Sequence, residues 1–321
     1  MSNLRGSKEY FSKLGMDVRW MIRHLGPPTL FVTCSASEWF SEPFIKFLRQ
    51  INSSVQNIGS MTPAEVCAMD PVNVSIHFNK KWNAIFQHLI RAKEQPIFGE
   101  VVDYFWRVEY QCRGAPHVHC LLWIKDAPVL GQSSPEDVKA YLNKVVTCSM
   151  PDAAESPTLH ELVTRFQMHK CNRYCRKVYK QNGKFYQKCR FGFPRPTKCT
   201  TELNDYIDCL AVNASKQPRK RLYHLKRSDA EVNINDYNAA LLMANQSNVD
   251  IQFIGHLGSR LPYYICDYMT KSEKSEQDDM WREIYSSTKS LGSNAMSFLL
   301  KSVKSRQVGA NEAADRLLGH K

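Results

Sequence analysis

His117 and His119 stand one residue apart in Pro116-His117-Val118-His119-Cys120-Leu121-Leu122-Trp123-Ile124. Two imidazoles at that spacing are the raw material of a metal site. In a strand, residues i and i+2 point to the same face, so the two rings project side by side while Val118 turns to the other face. The upstream segment, residues 104–112, adds a carboxylate and an amide, Glu109 and Gln111. Two histidines and a carboxylate leave coordination positions open for substrate, as in a catalytic divalent-metal centre rather than a closed structural one. The competing reading is a histidine pair hydrogen-bonded at a sheet edge. The H-x-H spacing alone favours that reading, and an opposed carboxylate brings the two to balance.

The elements around the pair must hold those four side chains on one face. Arg113-Gly114-Ala115-Pro116 interrupts regular structure, and Pro116 suits the first residue of a strand but not its middle. From Val118 onward the run is apolar and β-prone, as a sheet interior requires. The flanking segments then pair as an antiparallel hairpin. A turn centred near residue 114 sets Glu109 opposite His119 and Gln111 opposite His117.

A second group of ligand-type residues follows. His169, Cys171, Cys175 and Cys189 form the pattern H-x-C-x3-C-x13-C around an Asn182-Gly183 turn, amid Lys, Arg and Tyr. Four such donors suit a tetrahedral zinc, with Cys199 as a substitute ligand and free buried thiols as the alternative. Further on, Leu261–Lys271 has Pro262 at a plausible first helical turn. As a helix it sets Tyr264, Tyr268 and Lys271 on one stripe at i, i+4 and i+7. Tyr263, about 100° away, falls to packing. An aromatic pair at this spacing is ordinarily core, but two phenols and an ammonium each need a polar partner.

The remaining chain reads as alternating helices and strands. Ser7–Leu25 is helical by period, stopped by Gly26-Pro27-Pro28, and residues 29–35 are a buried strand. Ser35 or Ser37 is a candidate cap for a helix over Glu38–Ile51. Asn52–Met61 is loop-like, and Asp70-Pro71 opens a helix running through Leu89. Ser134-Pro135 starts one over Val138–Val146; Asn238–Asn245 is a short helix and Val249–Ile254 a strand. With 321 residues the chain can bury a substantial core. No apolar run reaches membrane-spanning length and no secretory leader opens it. Eleven cysteines then argue for thiols or metal ligands over disulfides. A formal charge of +12 points to a polyanionic partner, and Lys216–Arg227 is the densest basic run, suited to phosphate contact, nuclear import or plain solvation.

Taken in order, Phe31-Val32-Thr33-Cys34-Ser35, Pro116-His117-Val118-His119 and Tyr264-x3-Tyr268-x2-Lys271 resemble the HUH class of rolling-circle replication nucleases. The two-tyrosine Rep nuclease of Helitron transposases is the nearer likeness. Gly26-Pro27-Pro28-Thr29, the Asp70-Pro71 helix, Arg190-Phe191-Gly192-Phe193-Pro194 and Val308–Leu318 resemble it too, so the likeness spans nearly the whole chain. It implies an α+β fold with a central antiparallel sheet of about five strands flanked by helices, carrying a Cys/His zinc-binding insertion. The histidines would lie on a central strand and the tyrosines on a nearby helix. The implied organisation is a nuclease core with the metal site over 1–160, a zinc segment over 161–200, the rest of the core with the tyrosine helix over 201–290, and a tail over 291–321. The implied chemistry is nicking of single-stranded DNA through a 5′-phosphotyrosine by Tyr264 or Tyr268, helped by Lys271. Mg²⁺ or Mn²⁺ would sit at His117, His119 and Glu109, with Gln111 in reserve. The family acts in the nucleus and continues into a helicase. No G-x-x-x-x-G-K-[ST] loop occurs here, so the expected content is the nuclease portion without unwinding activity. Two other classes compete: a zinc hydrolase, which gives the tyrosines no role, and a non-catalytic zinc-containing nucleic-acid-binding module.

Overall fold

Apolar residues at three- and four-residue steps wind Lys8–Leu25 into α1. Gly26, at φ 79°, ends it in the left-handed region that favours glycine. The computed structural model describes residues 8–36, 38–110, 115–181, 184–204, 222–256, 261–269 and 309–320. After α1 come β1 (Leu30–Ser35), α2 (Glu42–Ile51), α3 (Pro63–Met69) and α4 (Pro71–Ile85), the last widening into a π turn over Phe86–Ile90. The hairpin β2 (Val101–Tyr110) and β3 (Pro116–Ile124) precedes α5 (Pro135–Val145) and α6 (Pro157–Leu162). A second hairpin, β4 (Arg176–Gln181) and β5 (Lys184–Cys189), is followed by the short β6 (Glu202–Leu203) and β7 (Tyr223–His224). Then come α7 (Ala239–Asn245), β8 (Val249–Phe253), α8 (Leu261–Met269) and α9 (Ala310–Leu317).

Four strands form the main sheet in the order β2-β3-β1-β8, every pair antiparallel. The histidine strand β3 is therefore central, as expected, and the sheet of about five strands is realised as four among the described residues. Every residue of β3 is buried, because both faces of the sheet are covered. One face sends Val118, Cys120 and Leu122 into the main core with α4, α5 and α7. The other packs Leu121 and Trp123 against Val18 and Ile22 of α1 and Ile265, Cys266 and Met269 of α8. Burying each such aliphatic side chain contributes about 1.5–3 kcal/mol. A strand covered on both faces reads as one apolar run, and this is why the two histidines stand out in it.

Several boundaries differ from the sequence reading, each for a local reason. Ser35 caps no helix. Residues 38–40 make a short 3-10 turn, and α2 begins only at Glu42, where Pro43 is tolerated in the first turn. Helix α3 was unforeseen. Thr62 and Glu65 form a reciprocal capping box at its start, with Pro63 as its first residue. In the basic run, Arg227 is not solvated: it lies buried beside Asp236 at 2.9 Å, with Arg195 at 2.7 Å from the same carboxylate oxygen. Residues 205–221, which hold four of the six Lys and Arg of that run, lie outside the described residues.

Helix α9 folds back onto α4. Its buried Asp315 accepts hydrogen bonds from Ser75 Oγ (2.7 Å) and Asn79 Nδ2 (2.6 Å) and meets His320 Nδ1 at 2.9 Å. Burial pushes this carboxyl up, but hydrogen bonds from Tyr110, Ser75, His320 and Asn79 outweigh it and hold it below the usual carboxylate range. Tyr110 ends β2, so this ionised carboxylate clamps the tail helix to the hairpin that carries the histidines.

Candidate active site and metal centres

β3 brings His117 and His119 onto one face, their ring centroids 4.7 Å apart. The hairpin register departs from expectation by two residues: Glu109 lies opposite His117, and Arg107 opposite His119. The register centres the hairpin on residue 113 rather than 114; Gln111 lies outside the described residues. A two-residue shift preserves side-chain parity, and Glu109 stays on the histidine face. It reaches diagonally to His119, with Oε2 2.6 Å from Nε2.

The other neighbouring strand supplies a residue the sequence reading had used elsewhere. Ser35 on β1 is opposite His117, and its Oγ lies 3.0 Å from His117 Nδ1. With Nδ1–H donating to that hydroxyl, Nε2 of His117 is left as the ligand atom, the usual division of labour in a metal-bound histidine. The signal was present in β1 as a hydroxyl at the end of a buried strand. Only the register turns it into a histidine partner. Phe31 on the same strand stacks on His119, centroids 5.8 Å apart and planes within 3°.

Electrostatics favour the ligating protonation states. Burial, aided by His119, lowers the pKa of His117 to about 4, so it is neutral at physiological pH. The hydrogen bond with His119 holds the Glu109 carboxyl below its ordinary value against partial burial, so it is anionic. Two imidazoles and a carboxylate on one face are donors of the right kind for a divalent cation. The Glu109–His119 hydrogen bond joins two atoms that would both turn to the ion.

The tyrosine helix covers this same face. Ile265, Cys266 and Met269 of α8 pack in one cluster with Phe31, Leu121 and Trp123, which share the parity of His117 and His119. Arg107, directly opposite His119, donates from Nη1 to the carbonyl oxygen of Met269, the last residue of α8. The aliphatic contact of α8 with α1 is reinforced by an Arg19–Asp267 ion pair and by Cys266 Sγ donating to the Gly15 carbonyl at 3.5 Å. The helix end that carries Tyr268 is thus tied to the histidine strands through Arg107. The side chains of Tyr264 and Tyr268, and all of Lys271, lie outside the described residues. Tyr263, expected in packing, is exposed, since Ile265, Cys266 and Met269 take the inner face.

His169, Cys171, Cys175 and Cys189 converge as the spacing predicted, their ligand atoms all within 4.8 Å of one another. Among the described residues this is the one set of three or more His, Cys, Asp or Glu that closes so tightly; His117, His119 and Glu109 adjoin in pairs. The β4–β5 hairpin does the positioning, since Cys189 ends β5 and Cys175 immediately precedes β4, whose Arg176 is opposite Cys189. Asn172 N–H donates to Cys175 Sγ at 3.1 Å, Cys189 Sγ lies 3.3 Å from His169 Nε2, and the His169 ring stacks on Phe193. Such a site can hold a metal such as zinc. Cys199, the substitute, is exposed and stands outside the set.

Two family models match the chain. Residues 1–122 match the Helitron helicase-like domain at N-terminus, and residues 69–189 match a replication-associated protein model of the ORF2 type. The first runs from α1 through the histidine pair; the second holds the whole β2–β3 hairpin and the Cys/His set. No curated protein matches the chain. No helix among the described residues is long and apolar enough to cross a membrane.

Proposed function

We propose that this chain, whose matches are consistent with a Helitron Rep nuclease domain, is a metal-dependent endonuclease and strand transferase acting on single-stranded DNA. The observation that carries this reading is the seating of the tyrosine helix on the histidine face, tied there by Arg107 to the Met269 carbonyl. His117, His119 and Glu109 would hold Mg²⁺ or Mn²⁺. When bound, the ion polarises a phosphodiester and offsets the charge that develops on it.

The chain's own groups supply the remainder. Ser35 fixes the His117 ring from its Nδ1 side and leaves Nε2 toward the site. The phenol oxygen of Tyr264 or Tyr268 attacks phosphorus while the bond to the 3′ oxygen breaks. The phenol proton departs and the leaving oxygen gains one, so the products are a 5′-phosphotyrosine and a free 3′-hydroxyl. The phosphotyrosine conserves the energy of the broken phosphodiester, so a 3′-hydroxyl can reverse the step without ATP. Lys271, three residues after Tyr268 in sequence, is assigned to offset phosphate charge. A nuclear site of action and fusion to a helicase belong to the same proposal.

The test is a labelled single-stranded oligonucleotide incubated with the protein and Mg²⁺ or Mn²⁺, then denatured. A covalent protein–DNA adduct with a released 3′-hydroxyl strand is expected. Cleavage without adduct would instead make the protein a hydrolase, and binding without either would make it a non-catalytic module.

In the same reading the Cys/His set binds zinc and its role is to hold structure. A closed four-ligand site contributes folding energy outright, on the order of 10 kcal/mol of metal-binding free energy in small zinc domains. Native mass spectrometry is expected to find one zinc per chain, lost in Cys175→Ala, and that variant should lose thermal stability. Zinc-free protein with unaltered melting would reject the assignment.

A further inference from the structure

The β4–β5 hairpin carries features that zinc ligation does not use. From residue 162 to residue 201 the sequence has no Asp or Glu, while residues 170–190 hold eight Lys and Arg. The strand register sorts these residues by face. Lys177 is directly opposite Lys188, and Tyr179 directly opposite Tyr186, so a lysine pair and a tyrosine pair sit next to each other on one face. Both lysines are exposed, and Tyr186 is 44% exposed. Like charges directly opposite one another destabilise a hairpin, and nothing acidic in the segment offsets them. Around the hairpin base the pattern repeats: Arg173 lies over the exposed Tyr174 ring at 4.9 Å, and Arg190 over the exposed Phe191 ring at 4.5 Å.

We infer that the face of this hairpin bearing Lys177, Tyr179, Tyr186 and Lys188 is a docking surface for single-stranded DNA, with the lysines on successive phosphates and the tyrosines stacked on unpaired bases. Charge complementarity selects a polyanion. Exposed aromatic rings between the cations select unpaired bases, because stacking needs a π face that duplex DNA keeps inside its helix. A two-stranded ribbon also fits a major groove, so duplex DNA is the rival occupant, but a groove offers the tyrosine pair no base to stack on. The metal-ligand set at the hairpin base would brace a ribbon of only six residues per strand, which two strands alone hold marginally. The inference takes its polymer from the proposed function and adds a second place where the strand is held, apart from the histidines.

The test uses the full chain without added Mg²⁺ or Mn²⁺, so that binding is read apart from cleavage. Fluorescence anisotropy with a labelled single-stranded oligonucleotide is expected to show Lys177→Gln/Lys188→Gln binding at least about tenfold more weakly. Its slope of log affinity against log salt should be shallower by about 1.4, two phosphate contacts at about 0.7 each. The same variant should melt no lower than the parent, because it removes an opposed like-charge pair. Tyr179→Leu/Tyr186→Leu is expected to lose at least about tenfold in affinity with the salt slope unchanged. Unchanged affinity in both variants overturns the inference, as does equal competition by duplex DNA. A readout independent of variants is photo-crosslinking of the parent chain to a bromouracil oligonucleotide, expected within residues 174–190; crosslinks confined to other segments also overturn it. Failure of the nuclease reading looks different: strand binding and crosslinks persist, and no covalent adduct forms when Mg²⁺ or Mn²⁺ is restored.

Discussion

Tyr264→Phe combined with Tyr268→Phe is expected to reduce the covalent protein–DNA adduct to background while single-strand affinity stays within about threefold of the parent. Phenylalanine keeps the ring and removes only the nucleophilic oxygen, so a loss of adduct cannot be charged to lost packing. The two residues are four apart on α8, about 6 Å along the helix axis, and the proposed mechanism has each phenol take its turn at one phosphate. One tyrosine can hold the first DNA end while the other attacks a second strand. Each single variant should therefore retain cleavage and fail in complete transfer. Denaturing gels read the adduct, and peptide mapping locates it. An adduct on Tyr263, which is exposed and therefore available, or one that persists in the double variant, would overturn the assignment.

The two metal-ligand groups differed in how legible they were, and the difference is physical. The Cys/His set was readable residue by residue because three of its four ligands fall within seven positions of chain and the fourth returns across one hairpin. Local geometry alone closes it. The histidine site draws on three strands and a helix from distant parts of the sequence. Strand parity placed His117, His119 and Glu109 on one face correctly, since that depends only on a period of two. Which residue opposes which depends on the turn, and an error of one position in its centre moved Glu109 from His119 to His117. Ser35 and Arg107 could not be assigned at all without pairing. Ser35 needs β1 beside β3, and Arg107 needs α8 across the sheet. Local rules reward a serine before a helical run and so make Ser35 or Ser37 a candidate cap, yet the Ser35 hydroxyl serves His117 82 residues away. Helix α3 differs in kind: its capping box is written locally in Thr62 and Glu65, just past the loop-like Asn52–Met61.

His117→Ala, His119→Ala and Glu109→Gln are each expected to cut adduct formation by about a hundredfold or more, with single-strand binding largely kept. Ser35→Ala separates ligation from orientation. Its hydroxyl lies 3.0 Å from Nδ1 of His117, so its loss should weaken the affinity for Mn²⁺ by about 10- to 100-fold, the usual cost of removing a histidine's supporting hydrogen bond. Raised Mn²⁺ should then restore the rate, as it should not in His117→Ala. The pH response follows from the His117 value of about 4. A histidine whose pKa is depressed by folding contributes stability that is complete above its unfolded pKa near 6.5 and is lost as pH falls toward about 4. Metal-free protein should therefore melt at steadily lower temperature as pH falls through that window, and His117→Ala should flatten the part of the slope that this residue supplies. Across neutral pH the His117 imidazole needs no proton removed to act as a ligand, so adduct yield should not carry a His117 titration near 6.5. A His117 imidazole titrating near 6.5 by NMR in the metal-free protein would show the ring to be solvated and cationic in the resting site, and would take away its role as a preformed ligand.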